Sequence, residues 1–123
     1  QVRLDQALLE TYRSVQDLDS RRDRELRELD RSIRQLRARE SELLERQRAL
    51  IDEATRTDEG DVAASLEADI RLLDSEIVAQ SSVVAAKLRE RGAVVERFEE
   101  HRRRYVELTA RPEPIQAQGA PRR

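Results

Sequence analysis

The 123-residue chain has no cysteine, methionine or tryptophan, and only three prolines and three glycines. Without cysteine there can be no disulfide, thiolate metal ligand or cysteine nucleophile, and such usage fits a reducing, cytoplasmic compartment. Aromatic residues make up 2% of the chain, too few to build a platform on which nucleic-acid bases would stack. An excess of one charge is also missing. The 24 basic and 26 acidic residues leave a net charge of -2, which makes no electrostatic case for a nucleic-acid partner. Apolar runs are only a few residues long, so no segment reads as a membrane span or as a signal-peptide core.

The inventory for chemistry is equally thin. One histidine cannot form a metal-binding pair, no glycine-rich phosphate loop occurs, and no serine–histidine–acid set has a scaffold to hold it. These absences argue against an enzyme and against a cofactor.

What the chain does have is charge, at 41% of residues, arranged with a strict period. Leu8, Val15, Arg22, Leu29, Leu36, Leu43 and Leu50 recur every seven residues, and so do Leu66, Leu73, Gln80, Lys87, Val94, His101 and Leu108. Such spacing is the seam of a coiled coil. In the first series Tyr12, Leu26 and Ile33 occupy the partner core position, filled out less well by Asp5, Asp19, Glu40, Gln47 and Ala54. In the second the partner rail is Ile70, Ile77, Val84, Arg91, Phe98 and Tyr105. No glycine or proline precedes Gly60, so the spacing predicts one helix over 4–54.

Thr55 to Asp61 is a polar break of turn and cap formers. Gly60 is suited to a positive φ there, and Thr57 or Asp61 to capping the next helix. A second helix is predicted over 62–108. The two heptad series agree in register: Leu50 with Leu66, Leu43 with Leu73, Ile33 with Val84 and Tyr12 with Tyr105 have position numbers adding to nearly the same total. That agreement predicts an all-α fold, a long antiparallel two-helix coiled-coil hairpin over 1–108, able to self-associate into a four-helix bundle. Residues 109–123 contain Pro112, Pro114, Gly119 and Pro121 and read as a flexible tail.

The same register predicts a half-polar middle. Leu36 faces Gln80, Leu29 faces Lys87, Leu26 faces Arg91, Asp19 faces Phe98 and Val15 faces His101. Lys87 and Arg91 are expected to snorkel out and pair with Asp23 or Asp30; the alternatives are a hinge or completion by another chain. His101, on a core rail, reads as a tolerated seam residue.

Away from the seam, acids precede arginines by four residues in Asp17–Arg21, Asp23–Arg27, Asp30–Arg34, Glu42–Arg46, Glu67–Arg71 and Glu99–Arg103, as expected of solvated helix faces. Arg102, Arg103 and Arg104 form a basic knot that reads as one more solvated face. Leu9, Leu44, Ile51, Leu88 and Val95 lie just beside the core rails on one flank, and they are the candidate partner-binding residues. They would bury a further helix, belong to a homo-oligomer, or broaden the two-helix core.

The run Leu66-Glu-Ala-Asp-Ile-Arg-Leu-Leu-Asp-Ser-Glu-Ile-Val-Ala-Gln80, then Val83-Val84, then Phe98-Glu-Glu-His-Arg-Arg-Arg-Tyr-Val-Glu-Leu108, resembles the second helix of the FliJ/YscO family of type III export proteins. The opening Val2-Arg-Leu-Asp-Gln-Ala-Leu8 is similar to that family's start. The resemblance spans most of the chain through heptads and composition. It implies a stalk that enters the ring of an export ATPase, links it to the membrane gate and meets export chaperones. The expectation is therefore a non-enzymatic adaptor or stalk in a larger assembly, or else a dimerising scaffold segment of a longer coiled-coil or cytoskeletal protein. No catalytic, cofactor or metal residue is expected, nor any direct membrane insertion.

Overall fold

The computed structural model describes residues 2–110, and they are almost wholly helical: α1 spans Val2–Thr11, α2 Val15–Arg56 and α3 Gly60–Thr109. The fold is all-α, as the periodicity predicts. The expected tail falls outside the described residues from position 111 onward. The chain divides into two compact units, Gln1–Glu25 with Ala93–Arg123, and Leu26–Gly92.

The second unit is a helical hairpin. Its turn is only Thr57-Asp58-Glu59, shorter than the predicted loop at 55–61, because Gly60 and Asp61 join the first turn of α3. An acid in a first turn is favoured by the helix dipole, which is why Asp61 costs nothing there. The Thr57 hydroxyl accepts the Glu59 amide at 3.2 Å, and the Glu59 carbonyl accepts the Ala63 amide at 2.9 Å to start α3. Gly60 does not use the positive φ that a turn glycine would; among the described residues no glycine does.

Within this hairpin Leu29, Ile33, Leu43, Leu66, Leu73 and Val84 are buried. The glutamines on the rails do not leave the seam unsatisfied. Gln80 Nε2 donates to the Leu36 carbonyl at 2.9 Å, the pairing the register predicted, and Gln47 Nε2 donates to the Ile70 carbonyl at 3.4 Å and to Asp74. A polar rail residue is tolerated because it finds an acceptor on the opposite helix, where an unpaired buried amide would cost about 1–3 kcal/mol.

The first unit departs from the predicted single helix. The chain leaves helical geometry at Tyr12-Arg13-Ser14, so α1 and α2 are separate elements. Ser14 is the cause: its hydroxyl accepts the Asp17 amide at 3.0 Å, while Asp17 Oδ2 accepts the Arg13 amide at 3.0 Å. This is a reciprocal cap of the Ser-x-x-acid kind, which starts a helix and so ends whatever precedes it. The carbonyl of Tyr12, left without a helical donor, accepts the buried Tyr105 hydroxyl at 3.1 Å.

The break resets the helical phase. Leu18, on neither predicted rail, is the most buried side chain at 0% exposure, while Val15 is only half-buried and Asp19 turns outward to Arg102. Leu8, Tyr12, Val94, Phe98 and Tyr105 complete this core. The facing pairs Val15–His101 and Asp19–Phe98 assumed uninterrupted helix through 12–14; with the break, the His101 ring lies 6.3 Å from that of Tyr12 and Asp19 pairs with Arg102.

Candidate functional site

Arginines pin the facing helical segments together. In the first unit Arg104 makes a two-pronged contact with Asp5 at 2.8 and 2.6 Å, Arg102 does so with Asp19 at 2.9 and 3.3 Å, and one Arg97 nitrogen meets both oxygens of Glu25 at 3.0 and 3.2 Å. In the second unit Arg91 meets Asp30 at 2.6 and 3.5 Å, the pairing expected of a snorkelling rail residue. Lys87 instead contacts Glu90 on its own helix at 3.2 Å, and Asp23 contacts Arg22 at 3.0 Å.

These bonds revise two expectations. Of the six predicted acid–arginine pairs spaced by four, only Asp17–Arg21, at 3.4 Å, lies within ion-pair distance among the described residues. The basic knot is more than a solvated face: Arg102 and Arg103 are exposed, yet Arg102 and Arg104 also hold acids of the facing segments. The planar guanidinium spans both oxygens of a carboxylate, which a lysine cannot do.

The carboxylates carry the electrostatic mark of this arrangement. Asp5 and Asp19 are held below the usual carboxylate range chiefly by hydrogen bonds from Arg104 and Arg102. Asp17 is lowered first by the Arg13 amide, and Asp30 first by Arg91. Arg91, Arg102 and Arg104 shift upward for the reciprocal reason. A carboxylate lowered in the folded state stabilises the fold fully above its unfolded value near pH ~4, and that contribution is lost as pH falls through the folded value. Three of the four lowered carboxylates belong to the first unit. Its amide protection, corrected for intrinsic exchange rates, is therefore expected to fall further than that of residues 26–92 between about pH 6 and about pH 3. Equal losses in the two units would refute this.

A small aromatic cluster surrounds His101. Its ring centroid lies 6.3 Å from that of Tyr12 and 6.4 Å from that of Phe98, and Tyr12 meets Tyr105 edge-on at 6.2 Å. His101 Nδ1 is buried with no hydrogen-bond partner among the described residues. A groove of about 270 Å³ alongside is lined by Leu4, Leu8, Glu100, His101, Arg103 and Arg104. No group of three or more histidines and acids is placed to hold a metal ion among the described residues. No helix among them is long and apolar enough to cross a membrane.

Comparison of the chain with family models, with curated proteins and with solved structures yields no match.

Of the five candidate partner residues, Leu44, Ile51 and Leu88 are exposed in the second unit, Leu9 is exposed in the first, and Val95 is half-buried there. The exposed ones carry apolar area that neither helix of their own unit covers. The heptad reading missed more. Leu72 is 67% exposed and Val78 65% exposed, and Val62 and Val83 are exposed as well, all of them on α3. A signal for Val78 and Val83 was present: Ile77 to Ala86 is a ten-residue stretch without a charge in a chain that is 41% charged. A search confined to neighbours of the rails passes over it.

Proposed function

We propose that the chain is a non-enzymatic coiled-coil adaptor or stalk in a larger, cytoplasmic protein assembly. The observation that carries this reading is the number of large apolar side chains left uncovered on the second unit, Leu44, Ile51, Leu72, Val78, Val83 and Leu88. Scattered surface leucines are ordinary, but several along one pair of helices in so charged a chain are the footprint of a protein partner. Nucleic acid and membrane insertion are poorer fits, because the aromatic stacking groups are missing and both signs of charge are interspersed.

The resemblance to the FliJ/YscO family gives this proposal its sharpest form, a stalk that engages a type III export ATPase ring and export chaperones. Size-exclusion chromatography with light scattering, run with a purified export-type ring ATPase, tests it. The chain is expected to co-elute with the ring, and Leu44→Glu with Leu88→Glu to weaken capture by at least about tenfold, as for residues central to an interface. Absence of co-elution would remove the export form. A second reading, a self-associating scaffold segment, is favoured by a specific observation on the same unit.

A further inference from the structure

Two stripes on the second unit match one another in charge and spacing. On α2, Arg27, Arg31, Arg34, Leu44, Arg48 and Ile51 recur at intervals of three or four residues, or sums of these, and all are exposed. None of these four arginines makes an ion pair or side-chain hydrogen bond among the described residues; the nearby Asp30 is already held by Arg91. On α3, Asp69, Leu72, Glu76, Val83 and Glu90 recur in the same way, also exposed. Asp69 and Glu76 make no ion pair among the described residues, and Glu90 has only Lys87 on its own helix.

The stripes lie on opposite flanks of the hairpin. One flank carries the bridges Arg91–Asp30 and Gln47–Asp74, and the α2 stripe runs beside Asp30 and Leu44. The other carries a groove of about 230 Å³ lined by Arg39, Leu43, Glu76, Ala79, Gln80 and Val83. Arg39 reaches Glu42 at 3.4 Å, leaving Glu76 to face outward. A basic stripe with leucine and isoleucine at one end cannot meet an acidic stripe with leucine and valine in the same molecule, because the hairpin itself lies between them.

We infer that the second unit binds a second copy of this chain, the α2 stripe of one copy packing against the α3 stripe of the next. The stripes supply both halves of such a contact: guanidiniums against carboxylates, which set orientation, and Leu44 and Ile51 against Leu72 and Val83, which bury apolar area. Because the two surfaces differ, the contact is heterologous, and an assembly retains one free stripe of each kind, on its two end copies, until it closes. This inference rests on the adaptor reading only in taking the exposed flanks to be interaction surfaces.

Sedimentation of the full chain tests it, with two charge-reversed variants, Arg31→Glu with Arg34→Glu and Asp69→Arg with Glu76→Arg. The native chain is expected to associate at concentrations on the order of 100 µM and to dissociate as salt is raised. Each variant is expected to associate at least about tenfold more weakly, with unchanged helical content, since like charges then face each other. Mixed together, the two variants should regain the association of the native chain by alternating, because both contacts between unlike variants set guanidiniums against carboxylates while like variants repel. A native chain that stays monomeric, variants that associate like the native chain, or a mixture that does not pair would each overturn the inference. Capture of an export ATPase by a monomeric chain would do so too while leaving the adaptor reading in place.

Discussion

Replacing Leu18 by alanine is expected to lower the unfolding free energy by about 2–5 kcal/mol, the range for a fully buried leucine that leaves a cavity. Leu18 has 0% exposure, and it lies in the first turn of the capped α2, in the unit whose buried residues include Val94, Phe98 and Tyr105. Val15→Ala is the informative comparison. An unbroken heptad makes Val15 the core residue and Leu18 a surface one; the cap at Ser14 reverses the two. Val15 is half-buried, so its truncation should cost less than half as much. Urea unfolding of the two variants beside the native chain measures both values. A larger loss from Val15→Ala would mean that the helix runs unbroken through 12–14.

The second expected result has the opposite sign. His101→Phe should raise the unfolding free energy, by about 1–3 kcal/mol, because a buried polar atom without a partner costs that much to keep from water. Nδ1 of His101 is such an atom among the described residues. The ring already lies between Tyr12 and Phe98, so phenylalanine retains the tilted aromatic contacts while removing the polar atom. His101→Ala separates the packing from the polarity: it should destabilise, since it removes both. If His101→Phe also destabilises, Nδ1 has a partner that is satisfied in solution.

Much of the fold could be read from spacing because a coiled coil writes its contacts into a simple period. Leu36 with Gln80 and Tyr12 with Tyr105 were fixed by two heptad series that agreed, and both pairs are joined by hydrogen bonds. The break at 12–14 was also legible, in Ser14 and Asp17, but a seven-residue repeat running from Leu8 through Val15 to Arg22 outweighed a two-residue cap. Its cost was Leu18. The cross-helix arginine pairs were harder to see. Asp5 and Asp19 counted as defects on a core rail, and only side-chain length shows that an arginine can reach them from the opposite helix. The partner surface was half visible. Leu44 and Leu88 followed from their place beside the rails, whereas Leu72 and Val78 belong to no rail and are exposed through the evenness with which α3 spreads its apolar residues.

The interruption between α1 and α2 bears on how this chain can change length. Inserting one residue inside α2 would rotate every side chain beyond it by about 100° and take a whole seam out of alignment. Between Thr11 and Val15 the backbone is already non-helical and each helix begins from its own hydrogen bonds, so an added or deleted residue there leaves both phases intact. Tyr12 and Ser14 are the exceptions, because Tyr105 holds the carbonyl of one and the hydroxyl of the other caps α2. Arg13, exposed and joined to its surroundings through its amide, is thus the position at which a residue can be added without turning either helix out of phase.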